Sequence, residues 1–342
     1  MFFKEKQRRG VDRFAYELII RLDKYAKNKD IELLVPNKDI ELPFLENIKI
    51  IKYGNGFFSK FWHLSSYQWY LLKNKALGVS FFTAYAPFIN PGIVALHDID
   101  YEREKNKRFT FRKYLTNRHM LIVNKLMIKV AKHILTVSNF SKNEIVRYYK
   151  YNLDKISVIY NGWEHLKKIK INKKVLIRKY ETFIKNDFYF YLGGIEARKN
   201  IKWIYEMAKR NPQENFVIAG PFNKNISGES VPINIIFLGY ITDEEMAFFF
   251  SKCKAFLFPS IYEGFGIPPL EALFFGAKVL CSNSSCLPEI YEDSVVYFNP
   301  NEYNLNLNDL LNKNVNNSVN ILKKCSWDKS ARELFNIIEQ IR

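Results

Sequence analysis

Residues 256–282 read FLFPSIYEGFGIPPLEALFFGAKVLCS. The apolar run 255–259 predicts a buried strand, residues 260–266 predict a loop, and residues 277–281 predict a second strand. Between them, residues 268–276 begin with proline and end with glycine, which is the asymmetry expected of a helix. This strand–loop–helix–strand order is typical of an α/β domain with a parallel sheet.

Two carboxylates stand in this stretch, Glu263 in the loop and Glu271 in the predicted first turn of the helix. Gly264 and Gly266 have no side chains, so a ligand can approach the backbone N–H groups closely. A helix N-terminus attracts phosphate, and a carboxylate accepts hydrogen bonds from sugar hydroxyls. The combination favours a nucleotide sugar, but a structural turn with one helix-dipole partner and one solvated acid fits the spacing equally well.

Length and composition narrow the class of protein. The chain has 342 residues and is 48% hydrophobic, yet no apolar run reaches the roughly 18 residues of a transmembrane helix. The four cysteines lack the spacing of a zinc site, and few scattered thiols indicate a reducing compartment. The N-terminus is charged and lacks the apolar core of a signal peptide. We therefore expect a cytoplasmic protein.

The net charge of +17 is concentrated in the first half. Residues 1–165 hold 29 Lys and Arg against 16 Asp and Glu. Residues 103–132 alone carry ten Lys and Arg, interleaved with Phe109, Phe111, Tyr114, Leu115, Leu121 and Met127. No nucleic-acid module is visible, so peripheral contact with an anionic membrane is favoured over nucleic acid. A plain solvated face remains the alternative.

Strands and helices alternate in both halves of the chain, which predicts two parallel-sheet domains. We expect an N-terminal domain over 1–163, a lysine-rich linker over 164–186, a C-terminal domain over 187–325 and a C-terminal helix over 326–342. The first strand would be short, because only Met1–Phe3 precedes the basic loop.

Polar residues follow the predicted strands of each domain, at the strand ends where ligands of open α/β sheets bind. His97 and Asp98 end the strand of residues 92–98, where core or capping roles are equally compatible with the sequence. Asp98 and Asp100 form a D-x-D triplet, for which loop acids are favoured over a metal pair. Arg198 and Lys199 follow the strand of residues 188–192. Cations are disfavoured at a helix N-terminus, so a diphosphate site is favoured here over plain surface charges.

Several stretches together resemble one family. FPSIYEGFGIPPLEAL resembles the E-x7-E signature of the GT-B-fold retaining glycosyltransferases of family 4 (glycosyl transferases group 1), of the polysaccharide-biosynthesis type. YLGGIEARKN resembles the Arg-Lys phosphate motif of that family. RGVDRFAYEL, ALHDID, LTVSNFSKNEI, VIYNGWEH and GYITDEEM add matches in the expected order. The resemblance implies an α/β, GT-B fold, in which the parallel sheets of two Rossmann-like domains face a central cleft and the C-terminal helix crosses back to the first domain.

The resemblance also implies a role for each candidate residue. Glu263 would contact the hydroxyls of the donor sugar, Glu271 the ribose hydroxyls, and Arg198 with Lys199 the diphosphate. The other donor-site residues would be His97 facing the sugar, Gly10 near the diphosphate, Tyr240 and Ile241 beside the base, and the loop residues Gly194, Gly264, Phe265, Gly266 and Ile267. Many family members carry Arg at the position of Gly194, so here Arg198 and Lys199 would act without it.

The implied activity is retaining transfer of a hexose from a UDP- or GDP-linked sugar to a glycan acceptor in capsule or O-antigen synthesis. We expect a lipid-linked acceptor at the inner face of the plasma membrane, and no cofactor, metal or nucleic-acid partner. Two alternatives stay open. The short N-terminus is compatible with a catalytically impaired subunit that binds nucleotide sugars. A sugar-nucleotide epimerase shares the fold, but the E-x7-E and Arg-Lys motifs argue against it.

Overall fold

The computed structural model describes residues 10–55, 61–100, 111–184, 187–221 and 231–342. The chain divides into two compact units, of which the first holds residues 1–161 and 326–342 and the second holds residues 162–325. The predicted first strand, Met1–Phe3, lies outside the described residues.

The first unit contains both helices and short strands. They are α1 (Gly10–Leu22), β1 (Glu32–Asn37), β2 (Lys49–Asn55), a π-helix (His63–Tyr67), α2 (Gln68–Asn74), β3 (Val79–Ser80), β4 (Ile93–Ala95), α3 (Phe111–Val130), β5 (His133–Thr136), α4 (Asn139–Tyr149) and β6 (Ile156–Val158). Short 3₁₀ helices cover Asp23–Tyr25, Thr83–Tyr85 and Leu153–Lys155.

The second unit alternates strands and helices more regularly. Its elements are α5 (Lys173–Ile184), β7 (Phe188–Leu192), α6 (Ile201–Arg210), β8 (Asn215–Ala219), β9 (Ile235–Gly239), α7 (Asp243–Lys252), β10 (Ala255–Phe258), α8 (Ile267–Phe274), β11 (Val279–Ser282), α9 (Leu287–Tyr291), β12 (Val296–Phe298), α10 (Leu307–Asn312) and α11 (Val319–Lys324). Two 3₁₀ helices, Glu164–Lys168 and Ala197–Lys199, complete it. The chain then returns to the first unit as α12 (Trp327–Ile341).

The first unit is built on parallel strand pairs. β1 pairs with β2, and β3, β4, β5 and β6 form a four-stranded sheet in that order. The buried face of α1 includes Phe14, whose ring meets Trp327 of α12 at a centroid distance of 6.1 Å. Ser330 of α12 also donates a hydrogen bond to the carbonyl of Tyr160 at 2.6 Å. These contacts make α12 part of the first unit.

The second unit contains one six-stranded parallel sheet in the order β12, β11, β10, β7, β8, β9. From β7 the chain adds β8 and β9 on one side, and then returns to add β10 on the other side. The direction of strand addition therefore changes between β7 and β10, which is where open α/β sheets bind ligands. Helices cover both faces of such a sheet, which explains why β7 (FYFYL) and β10 (AFLF) are apolar throughout.

The predicted linker is corrected by the structure. Its residues include the 3₁₀ helix Glu164–Lys168 and the helix α5, both within the second unit. Leu176 and Tyr180 are buried one turn apart, whereas Val175 and Ile177 are exposed. Because the exposed apolar side chains blur the helical period, the sequence pattern did not show the helix. The helix α4 is capped by Ser138, whose side chain accepts a hydrogen bond from the N–H of Ser141 at 3.0 Å.

The helix α7 begins with a capping box, in which the side chains of Thr242 and Glu245 bond each other's backbone N–H groups. Glu245 also accepts a hydrogen bond from Tyr180 of α5 at 2.6 Å and pairs with Lys179. Burial raises the pKa of Glu245, but the contacts with Lys179, the Thr242 N–H and Tyr180 outweigh it and lower the pKa to about 2. This carboxylate therefore ties α5 to α7.

Replacing Glu245 with Gln should destabilise the second unit at neutral pH. A lowered pKa in the folded state stabilises the fold above the ordinary glutamate pKa of about 4.3, so we expect the free energy of unfolding to fall by about 1–2 kcal/mol at pH 7. The difference from wild type should shrink as the pH falls from about 4 to about 2. Denaturant unfolding monitored by fluorescence measures it. Glu206→Gln, which removes an exposed pair with Lys209, is the control and should change stability by less than about 0.5 kcal/mol. Equal effects of both variants would contradict this account.

Candidate active site

The candidate site lies at the carboxyl ends of two neighbouring strands of the second unit. β7 and β10 run parallel, with Tyr189 opposite Ala255 and Phe190 opposite Phe256. The segments that follow them therefore leave the same edge of the sheet side by side. One carries the Arg-Lys pair, and the other carries the first acid of the E-x7-E stretch.

An ion cluster around a buried carboxylate joins these two segments. Lys199 Nζ donates to Glu263 Oε1 at 2.7 Å, and Arg198 Nη1 donates to Glu263 Oε2 at 3.1 Å. The Glu263 residue is only 7% exposed. Burial raises the pKa of its carboxyl, but Lys199 and Arg198 outweigh burial and hold the pKa below the ordinary value. The acid is therefore ionised at neutral pH, and the three side chains carry a net charge of +1.

Backbone contacts fix the position of the cluster. The N–H of Ile261 donates to the carbonyl of Arg198 at 2.7 Å, which joins the two segments directly. The N–H of Glu263 donates to Ser285 Oγ at 3.1 Å. The ammonium of Lys199 also lies 5.6 Å from the ring centroid of Phe258, at the end of β10. The cations are thus held in place before any ligand binds.

The start of α8 has fewer N–H groups that could bind phosphate than the sequence led us to expect. Gly266 caps the helix in the left-handed region (φ 83°), and its carbonyl accepts a hydrogen bond from the Tyr291 hydroxyl. Pro268 and Pro269 follow within the first turn, and proline has no N–H group. Fewer helix N–H groups can therefore meet an anion than a usual N-terminus offers, and the donor at the first helical position is that of Ile267.

The second acid, Glu271, lies in the second turn of α8 rather than in the first. It is 8% exposed. Its Oε1 is 3.3 Å from Nε2 of His165, which belongs to the 3₁₀ helix Glu164–Lys168 of the same unit. His165 ends the stretch VIYNGWEH that resembles the family, but the sequence assigned no role to it. Nothing local in the sequence indicates a partner more than a hundred residues away.

The remaining donor-loop candidates lie at the ends of other strands. Gly194 follows β7, and its carbonyl accepts a hydrogen bond from the Tyr191 hydroxyl at 2.8 Å. Phe265 is buried, whereas Tyr240, directly after β9, is 64% exposed. Ile241 is partly buried beside it. These residues occupy the same end of the sheet as the ion cluster, because all six strands are parallel.

Two candidates belong to the first unit. His97 follows β4, its ring meets Phe14 edge-on at 4.8 Å, and its Nε2 donates to the carbonyl of Phe81 at 3.0 Å. Burial lowers the pKa of His97 more than the Phe81 carbonyl and Asp98 raise it, so the ring is neutral at pH 7. Gly10 is the exposed first residue of α1, one turn before Phe14. The structure thus gives His97 a well-packed position with one nitrogen already bonded.

The D-x-D triplet forms a local turn. Asp98 Oδ1 accepts a hydrogen bond from the N–H of Asp100 at 3.1 Å. Among the residues that the structure describes, no group of three or more His, Cys, Asp or Glu side chains could hold a metal ion.

Two family models match the chain, one in each half. Residues 8–165 match the model Glycosyltransferase Family 4, and residues 172–333 match Glycosyl transferases group 1. Together these models cover nearly the whole chain. The protein therefore belongs to the family 4 glycosyltransferases, as the resemblance predicted.

Similar proteins support this assignment. The chain is 31% identical over 186 residues to the O-antigen chain mannosyltransferase B of Escherichia coli, an alignment that covers 50% of this chain and 49% of the relative. The match thus spans about half the length of that curated relative.

Solved structures support the fold. The chain is similar to a sucrose-phosphate synthase from Thermosynechococcus elongatus, with a TM-score of 0.64, 16% identity and coverage of 97% of this chain and 91% of the other. It is also similar to HepE of Anabaena, solved in complex with UDP and glucose, with a TM-score of 0.61, 15% identity and coverage of 98% and 95%. The fold is GT-B, as the resemblance implied.

Replacing Lys199 with Ala should weaken the binding of UDP or GDP about tenfold or more, because a charge-assisted hydrogen bond to phosphate is lost and Glu263 keeps only one cation. Titration calorimetry measures the affinity. Lys202→Ala removes a lysine three residues further along that lies near the ring of Tyr303, and should leave the affinity unchanged. If both variants bind like wild type, Lys199 does not contact the diphosphate.

Proposed function

We propose that the protein transfers a hexose from a nucleoside-diphosphate sugar to a glycan acceptor in the synthesis of cell-surface polysaccharide, with retention at the anomeric carbon. The observation that carries the proposal is the cluster of Arg198, Lys199 and Glu263. It lies at the ends of β7 and β10, where the direction of strand addition changes in the six-stranded sheet. The name of the Escherichia coli relative favours mannose as the hexose and O-antigen as the polysaccharide. The UDP and glucose bound to HepE favour a nucleotide-sugar donor.

The two cations would stabilise the leaving group. As the bond between the anomeric carbon and the phosphate oxygen breaks, negative charge accumulates on the diphosphate. Lysine has three N–H donors and arginine has five, so each can keep its bond to Glu263 and still donate to phosphate oxygens. Cations fixed before the reaction stabilise this charge without reorganisation in the transition state.

Retention would proceed on one face of the sugar. The acceptor hydroxyl forms its bond to the anomeric carbon on the face from which the diphosphate leaves, and its proton passes to a leaving phosphate oxygen. A carboxylate bound by two cations is a weak nucleophile, which argues against a covalent intermediate on Glu263. In this mechanism Arg198 and Lys199 neutralise the leaving group, so we propose that no metal is required.

We also propose that α3 contacts an anionic membrane surface. Its exposed face combines apolar and basic side chains: Tyr114, Leu115, Arg118, Ile122, Lys125 and Lys129. Met127, one of the apolar residues that alternate with the basic ones in this stretch, is fully buried in the first unit. No helix in the described part of the chain is long and apolar enough to cross a membrane. A basic helix with exposed apolar side chains can instead lie in the membrane interface.

The purified protein should transfer a hexose from a GDP- or UDP-sugar to a lipid-linked glycan, and the new linkage should keep the anomeric configuration of the donor by proton NMR. The rate should not change in EDTA. Loss of activity that magnesium or manganese restores would contradict the metal-free mechanism and turn attention to Asp98 and Asp100. Binding of the donor without transfer or hydrolysis would instead support an impaired donor-binding subunit.

The membrane contact predicts salt-sensitive binding to vesicles. Sedimentation with vesicles that contain phosphatidylglycerol should capture wild type at low salt. The double variant Lys125→Glu, Lys129→Glu should bind at least tenfold more weakly, since each basic residue near the surface contributes about 1 kcal/mol. Lys27→Glu, an exposed charge reversal outside α3, should have a smaller effect. Equal binding of wild type and the double variant would exclude α3 as the contact.

A further inference from the structure

The segment Gly162–Lys168 lies against α8, the helix that carries the second acid of the E-x7-E stretch. Trp163 stacks on Phe274 of that helix at a centroid distance of 4.6 Å and an interplanar angle of 29°. The indole N–H of Trp163 also donates to the carbonyl of Leu322 at 2.8 Å. Leu166, in the 3₁₀ helix Glu164–Lys168 that follows Trp163, is almost fully buried. Aromatic stacking, a hydrogen bond and a buried leucine therefore fix the segment in one position.

That position brings His165 to Glu271. The two side chains are 4% and 11% exposed, and Nε2 of the imidazole lies 3.3 Å from Oε1 of the carboxylate. Glu271 and Phe274 are three residues apart on α8, hence on one face of the helix. Trp163 and His165 thus contact that face at two points, one apolar and one polar. The imidazole Nε2–H can donate to the carboxylate, whose other oxygen can still accept hydrogen bonds from a ligand.

We propose that His165 is a positioning residue for the nucleotide. Its hydrogen bond holds the carboxylate of Glu271 in the orientation that accepts the hydroxyl groups of the ribose. A nearly buried glutamate without such a donor can rotate about its side-chain bonds, and its hydrogen bonds to the ribose then require ordering at the time of binding. The inference rests on the proposed function, because it assumes that a nucleoside diphosphate binds at this edge of the sheet.

Nucleotides with and without the ribose hydroxyls can show whether His165 positions Glu271 or only stabilises the fold. UDP and GDP carry both hydroxyls, and their 2′,3′-dideoxy counterparts carry neither. Wild type should bind the ribose form more tightly than the dideoxy form. His165→Ala should bind the ribose form about tenfold more weakly than wild type, because a hydrogen bond to a charged group is lost, and should bind the dideoxy form within twofold of wild type. His165→Gln, whose amide can still donate, should recover part of the loss.

Control variants complete the design. Glu271→Ala, which removes the acceptor oxygens, should lose the preference for ribose, and adding His165→Ala to it should produce little further loss. Lys167→Ala removes a lysine of the same 3₁₀ helix that lies 4.9 Å from the ring centroid of Trp163, and should keep the wild-type preference. Thermal unfolding of each variant without ligand reports whether the segment stays folded.

Two results would overturn the inference alone. In one, His165→Ala weakens the binding of the ribose and dideoxy nucleotides equally, which shows a structural role. In the other, it changes neither affinity, which shows no role. If wild type binds neither UDP nor GDP, the proposed function fails, and the inference fails with it.

Discussion

The ionised carboxylate of Glu263, held between Lys199 and Arg198, is the interaction on which the candidate site depends. A charge at 7% exposure is costly unless it is paired, and removing one partner of such a group leaves an uncompensated buried charge. The cluster is therefore a geometric constraint as well as an electrostatic one. It exists only if the segments after β7 and β10 leave the sheet side by side. The sheet order satisfies this condition, because the direction of strand addition changes between these two strands.

The core beneath the cluster is rich in aromatic rings and fixes the strand ends. On β7, the ring of Phe190 packs against Phe249 of α7 at 5.3 Å and against Phe256 of β10 at 6.0 Å. On the other face, Trp203 of α6 stacks on Phe298 of β12 at 4.3 Å. Ring pairs in such contacts stabilise the fold by more than the burial of their apolar area alone would. The loops that carry the charged residues thus extend from a rigid sheet, which is the arrangement that precise binding sites require.

Much of the second unit could be predicted from its sequence, because its signals are local. The apolar run FYFYL gave the bounds of β7, and proline and glycine marked the two ends of α8 to within two residues. The Arg-Lys pair and the acids of the E-x7-E stretch were recognised because parallel strands place their ends at one edge. The motifs also identified the family, which the comparisons confirmed.

What the sequence did not show depends on contacts between distant residues. His165 meets Glu271 beside the stacked pair of Trp163 and Phe274, and no local pattern in the sequence encodes that packing. The helix α5 was mistaken for a linker because apolar residues on its exposed side obscured the period. Met127 was noted only as one of the apolar residues interleaved with the basic ones, and this mixture did not show that one side of α3 is buried in the first unit.

A crystal structure with bound UDP or GDP tests the central claim most directly, since that claim assigns the cluster at the ends of β7 and β10 to the diphosphate. The account predicts that the β-phosphate lies within hydrogen-bond distance of Lys199 Nζ and the Arg198 guanidinium, while both side chains keep their contacts with Glu263. A diphosphate bound away from both cations, with the cluster unchanged, would contradict it.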